Sequence, residues 1–185
     1  MIYVITPQYK APEGSIVINT TSRSDNWSKS LSPFFLGPVK LYGEYKSINV
    51  ENGWQYSKVY EYYLDDGEPG ERYFEWAKAG WNNTKAVRYP MGKGAVPEYS
   101  YWDGKKLSYV DARKQIYIPL YSNAVKETHA FSKLKQVYKS NESIYLVDFD
   151  AHNLIADVNF MELFENPNIK VGHAYVLAMM LKGEI

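Results

Sequence analysis

The chain has no cysteine, which excludes disulfides, a thiolate nucleophile and sulfur-ligated zinc sites. Its three histidines, His129, His152 and His173, show no metal-ligand spacing. No Ser-His-Asp pattern is readable either, so the sequence predicts no metal and no bound cofactor. An excess of one charge is also missing: 21 Lys and Arg balance 21 Asp and Glu. Proteins that hold long nucleic acid by neutralising phosphates carry a basic surplus, so this balance argues against a DNA-coating protein but leaves room for a local basic pocket. Long apolar runs are lacking too. The longest near the end, residues 174–181, falls far short of the ~20 residues that span a bilayer. The start, Met-Ile-Tyr-Val-Ile-Thr-Pro, lacks the basic n-region of a signal peptide. These absences predict a soluble, cytoplasmic protein without a membrane partner.

What the chain does have is aromatic side chains: 18 Tyr, 7 Phe and 5 Trp, or 16% of its residues. Such rings fill cores, and they also offer flat faces to planar ligands such as nucleobases. At 185 residues the chain is long enough for one domain with a hydrophobic core. Residues 15–20 read as a short strand after a Pro-Glu-Gly turn, followed by a Ser-rich loop over 21–30 and an extended stretch with turns over 31–42. Asn49 is a good N-cap for a helix over 50–64, stopped by Asp-Asp-Gly-Glu-Pro-Gly at 65–70. Further helices are predicted over 71–78, 109–120 (ended or kinked by Pro119), 123–138 and 172–181. Residues 87–104, rich in Gly and Pro, read as a long loop or a β-ribbon, and 144–149 as a strand. The expected fold is a single α+β domain over 1–185, mostly helical with a small sheet.

On the predicted 50–64 helix, Glu51, Gln55, Lys58 and Tyr62 recur at spacings of 4, 3 and 4 and share one face, bordered by Trp54. A carboxylate, an amide and an amine beside an aromatic ring can orient a sugar and move a proton. The same spacing also describes a solvated polar face with ordinary i,i+3 and i,i+4 contacts.

The approach to this helix carries a more specific signal. Leu31-Ser32-Pro33-Phe34, Pro38-Val39, Leu41-Tyr42-Gly43, Tyr45, Val50-Glu51, Trp54-Gln55 and Lys58 resemble the hallmark of the NADAR (YbiA-like) family. There Leu-Ser-Asn-Phe, Pro with an apolar residue, a turn Gly and an aromatic precede Val-Glu, with an aromatic, Gln and Lys on a helix. Pro33 stands where that pattern has Asn, and one residue is inserted before Val50-Glu51. Further on, Ala112-Arg113 to Leu120, the stretch from Val125 to Leu134, Tyr145-Leu146-Val147-Asp148-Phe149-Asp150, and Gly172 with its apolar tail resemble the family's later elements. His152-Asn153 stands where the family has Trp-Gly.

The resemblance implies an N-glycosidase acting on a ribosyl group. Members hydrolyse phosphoribosyl-aminopyrimidine intermediates of riboflavin synthesis, or remove ADP-ribose from guanine in nucleic acid. The compact phage type, which this chain resembles more, undoes DNA ADP-ribosylation by a DarT-type toxin. It implies an ADP-ribosylated nucleobase or nucleotide as partner, in DNA or free, and for a phage protein the host cytoplasm as location. The alternatives are a non-catalytic ADP-ribose-binding module and the riboflavin-type glycosidase.

The residues suit the chemistry. Cleaving the anomeric C–N bond builds positive charge on the sugar, which a carboxylate stabilises. Glu51 is the candidate, with Lys58 as the amine that attacks an opened sugar aldehyde and Asp150 as the second acid or base, ahead of Asp148, which is assigned to ribose hydroxyls. Arg23 and Arg88, with Lys93 nearby, are candidate pyrophosphate donors, and Gln55 a binding residue. Trp27, Phe34 and Trp54 are candidates for stacking on a base. Gly92-Lys93-Gly94 is not a P-loop, because the spacing is wrong and no Ser or Thr follows the Lys.

Overall fold

Ile2-Tyr-Val-Ile5 and Ile144-Tyr-Leu-Val147 are short runs of β-branched and aromatic residues, the composition that favours strands. In the computed structural model, which describes residues 1–153 and 159–185, they pair side by side. Strand β1 (Ile2–Ile5) runs parallel to β10 (Ile144–Val147), and β10 runs parallel to β2 (Val17–Asn19). The order β1-β10-β2 puts β10 in the centre. All four residues of β10 are buried, as a parallel strand covered on both faces requires. Strands β2 and β10 fall within the stretches 15–20 and 144–149 expected to be strands, whereas β1 is not among the expected elements.

This sheet belongs to the first of two compact units, formed by Met1–Pro33 with Tyr121–Ile185. Here the polar loop after β2 closes into a 3-10 turn, Trp27–Leu31, because the Asn26 side chain accepts from the Ser28 N–H. Helix α5 (His129–Lys139) starts at Thr128, whose hydroxyl accepts from the Phe131 N–H. A single helix over 123–138 is therefore not formed: the capping hydroxyl at Thr128 restarts it. The unit also holds α6 (Phe160–Glu165) and α7 (His173–Lys182), the latter apolar and buried along most of its length.

The second unit is Phe34–Leu120. Helix α1 (Val50–Gln55) begins where expected, with the Asn49 side chain accepting from Asn52 N–H at 2.8 Å. It does not continue to 64. The chain leaves it at Tyr56 and forms β5 (Lys58–Val59), paired antiparallel with β8 (Tyr99–Trp102). The reason lies in Val59, Tyr60, Tyr62 and Tyr63, β-branched and aromatic residues that pack better on extended backbone than on a helix. Tyr56, Val59, Tyr60 and Tyr63 join Tyr73, Ala77 and Trp81 of α2 (Glu71–Trp81) in one buried cluster. Most of the tyrosine in this region is therefore core.

Two Asp-Gly pairs make tight hairpins. Asp66-Gly67 joins β6 (Leu64–Asp65) to β7 (Glu68–Pro69), and Asp103-Gly104 joins β8 to β9 (Lys105–Leu107), each pair with both φ positive. That backbone matches the twist of the strands it connects. The 87–104 stretch thus contains both predicted forms, a loop up to Glu98 and then a ribbon. Two short strands, β3 (Val39–Lys40) and β4 (Lys46–Ser47), form another hairpin. Pro119 does not stop the helix predicted over 109–120. After α3 (Tyr109–Ala112) the chain widens into a π turn over Arg113–Tyr117, with Ile118 N–H donating to Arg113 C=O, before α4 (Ile118–Val125). Pro119 falls in the first turn of α4, where its missing N–H is tolerated. The fold class is α+β with more helix than strand.

Candidate active site

Helix α1 is short, and several backbone contacts fix it. Val50 N–H donates to Leu36 C=O at 2.8 Å, and Ile48 N–H to Trp81 C=O at 2.9 Å. Gly53 lies so close to its neighbours that a Cβ there would meet Leu120 and Leu41 side-chain carbons at 2.9 and 3.1 Å. Every residue of α1 is buried, including Glu51 at 5% and Gln55 at 8% exposure. This excludes the solvated polar face that the same spacing allowed. Burial of a carboxylate is costly unless it is hydrogen-bonded.

Glu51 is so bonded. Gln55 Nε2 donates to Glu51 Oε1 at 2.9 Å, and Lys58 Nζ donates to Gln55 Oε1 at 2.6 Å. The two contacts fix which end of the amide points where: oxygen to the amine, nitrogen to the carboxylate. Lys58 reaches this position from strand β5 and not from the helix, which corrects its predicted placement two turns along. Its Nζ also stands 4.8 Å from the centre of the Trp54 ring, a cation–π contact, and that ring lies 5.3 Å from Tyr117. Tyr62, predicted on the same face, is instead 64% exposed on a 3-10 turn over Glu61–Tyr63. Trp54 is buried in this arrangement, and Phe34 of the same unit is half-buried.

Asn52, not among the predicted site residues, has a structural part. Fully buried, it donates to Asn83 and Lys85 C=O and accepts from Val87 N–H. Arg88 follows, half-buried, with its guanidinium 5.5 Å from the Tyr89 ring centre. Arg113, at 2% exposure, is the other residue the sequence reading did not single out as a site. Its guanidinium lies 4.0 Å from the Tyr109 ring centre, within the π turn. Its type alone gave no signal, since arginine is ordinarily exposed.

The remaining candidates belong to the first unit. Asp148 directly follows the central strand and is buried. Its Oδ2 faces His173 Nδ1 at 3.0 Å and accepts from Ala174 N–H at 3.0 Å, while Oδ1 accepts from Asp150 N–H at 3.1 Å. Burial alone raises its pKa, but the His173 charge and hydrogen bond and the two backbone N–H groups outweigh that and hold it at about 2, against 3.8 ordinarily. His173 Nε2 meets Thr20 C=O at 2.8 Å. The pair ties strand end to helix start, so Asp148 caps α7. Asp150 is half-buried on the turn that follows. Arg23 is exposed, its guanidinium 5.1 Å from the Phe149 ring centre, and half-buried Trp27 has Lys133 Nζ 5.0 Å from its ring. Among the described residues, no group of three or more His, Asp or Glu is placed to hold a metal ion, and no helix is long and apolar enough to cross a membrane.

A protein-family model described as a family of unknown function (DUF6939) matches residues 5–161. No curated protein and no solved structure matches the chain.

Proposed function

The chain belongs to this family of unknown function, and we propose that it is an N-glycosidase that hydrolyses an N-ribosyl bond, removing ADP-ribose from guanine bases of DNA. The observation that carries the reading is the hydrogen-bonded string Lys58–Gln55–Glu51 beside Trp54, with Glu51 and Gln55 buried and Lys58 half-buried. A buried carboxylate and amide linked in series to a half-buried amine are costly to arrange for stability alone. They are the groups that cleavage of a glycosidic C–N bond needs.

In this proposal the anomeric C–N bond breaks, the base nitrogen takes a proton, and water supplies the oxygen of the new C–O bond. Glu51 stabilises the positive charge that grows on the sugar and takes the proton from the attacking water. Gln55 holds that carboxylate in place. Lys58, over the Trp54 ring, supplies positive charge or a proton on the leaving side. The preference for a modified base in DNA, as counter-defence against a DarT-type toxin, rests on the resemblance of residues 31–58 to the NADAR pattern. A net charge of zero suits action on one modified base better than a grip on long duplex.

The test is release of ADP-ribose from a DNA oligonucleotide ADP-ribosylated on guanine, by the wild type and by Glu51→Ala and Lys58→Ala. Release by the wild type that both folded variants lose is the expected result. Release that survives both substitutions overturns the site. Binding of ADP-ribose without turnover makes the protein a binding module, and turnover only of free ribosyl-pyrimidine phosphates changes the substrate.

A further inference from the structure

Between α2 and β8 the chain runs from residue 82 to 98 without regular structure. Gly92 and Gly94 both have positive φ, and Lys93 and Val96 are exposed. A loop this long in a small unit is usually a functional one. The Asn52 side chain fixes its root. Asn52 Nδ2 donates to Asn83 C=O at 3.0 Å and to Lys85 C=O at 2.9 Å, and its Oδ1 accepts from Val87 N–H at 2.8 Å. Asn83 Oδ1 in turn accepts from Lys85 N–H at 2.9 Å.

One amide thus satisfies three backbone groups of the loop at full burial. Aspartate at this position lacks the two donors and alanine lacks all three groups. Asn52 is also the residue after Glu51, so the helix turn that holds the carboxylate fixes the loop root as well. The next residue after the last clamped N–H is Arg88, one Cα step of ~3.8 Å beyond Val87. A guanidinium binds phosphate oxygens in a planar, two-pronged manner, and that of Arg88 lies 5.5 Å from the centre of the exposed Tyr89 ring, a side chain of the kind that stacks on bases.

We propose that Asn52 is a positioning residue: its amide holds the 83–87 root in register with Glu51, so that Arg88 and Tyr89 meet the phosphate-bearing end of the ribosyl substrate. The role rests on the ribosyl reading above. It separates two tasks along α1, with Glu51 and Gln55 serving the sugar and Asn52 serving the loop that binds the rest of the molecule.

The test uses Asn52→Ala, Arg88→Ala and the double variant, each checked for folding by circular dichroism, with calorimetric binding of ADP-ribose and timed tryptic digestion. The loop offers cleavage sites at Lys85, Arg88 and Lys93. Asn52→Ala is expected to be cut faster within this segment and to bind ADP-ribose about tenfold more weakly, the scale of one lost charge-assisted hydrogen bond. Arg88→Ala is expected to lose a similar factor, and the double variant no more than either alone, because both substitutions remove the same contact. If Asn52→Ala does not fold, Val87→Pro removes the third bond from the loop side and leaves α1 untouched. Wild type that binds no ADP-ribose sinks the ribosyl reading. Wild type that binds it while Asn52→Ala or Val87→Pro binds equally well, or losses that multiply in the double variant, sink the positioning role alone.

Discussion

Gln55 is the residue on which the candidate site depends most directly, because it touches both ionisable members. Its amide accepts from Lys58 and donates to Glu51. Gln55→Leu keeps much of the side-chain volume but removes both bonds. It leaves a carboxylate oxygen buried without this donor, a loss of about 1–3 kcal/mol that added apolar burial partly offsets. The expected result is a folded protein whose turnover in the proposed N-glycosidase reaction falls roughly 100-fold, the usual scale for losing a positioned acid–base group. Tyr62→Ala is the control. The sequence put Tyr62 on the same helical face, but it stands exposed beyond the helix end, so turnover within twofold of the wild type is expected. Steady-state release of ADP-ribose from modified DNA checks both. Loss in the tyrosine variant as large as in the glutamine variant would mean that the face predicted from spacing, and not the hydrogen-bonded string, is the working surface.

The elements show where spacing served and where it failed. Asn49 marked the start of α1 correctly because an N-cap is a local event, one side chain meeting one N–H three residues on. The end of the helix was not legible, because Val59, Tyr60 and Tyr63 leave it in favour of a cluster with Tyr73, Ala77 and Trp81, a tertiary choice that no periodicity reports. The grouping of Glu51, Gln55 and Lys58 was still legible, since a side chain as long as lysine reaches Gln55 from the strand as readily as from a helix turn. Asn52 was invisible as a clamp because its partners are backbone groups more than 30 residues away. The same α1–α2 packing supplies a test at this scale. Gly80 lies inside α2, where alanine normally stabilises a helix by about 1 kcal/mol. Here a Cβ would stand 2.1 Å from two Tyr56 ring carbons. Overpacking of a rigid ring costs about 1–3 kcal/mol, and a contact this short belongs at the upper end of that range, so Gly80→Ala is expected to lower stability by up to roughly 2 kcal/mol in urea denaturation. A stabilised variant would show that Tyr56 has room to move away from α2.

Across the whole molecule the run of predicted elements foretold the class, α+β with helix in excess, while the abundance of tyrosine left open whether the rings fill a core or face a ligand. Neither foretold which end of the pH scale each buried group would govern. Asp148 is ionised in the folded state down to about pH 2, against 3.8 ordinarily. A carboxyl with a depressed folded pKa binds its proton more readily in the unfolded chain, so its contribution is complete above about pH 4 and fades as pH falls towards 2. The difference corresponds to about 2 kcal/mol. At the alkaline end the sign is opposite. Among the described residues, Tyr42, Tyr56, Tyr60, Tyr63, Tyr73, Tyr99, Tyr121 and Tyr175 are all pushed above 10, chiefly by burial, with Tyr175 at about 12. Each stays neutral in the fold while its unfolded counterpart ionises near 10, so their contribution is complete below pH 10 and is lost as pH rises through 12. Urea midpoints measured from pH 2 to 12 should therefore hold a plateau and fall at both ends, more steeply at the alkaline one, where several groups act together. Asp148→Asn should flatten the acid limb between pH 4 and 2 and leave the alkaline limb unchanged. An acid limb of wild-type steepness in that variant would assign it to other carboxylates and remove Asp148 as the group that fastens strand β10 to helix α7.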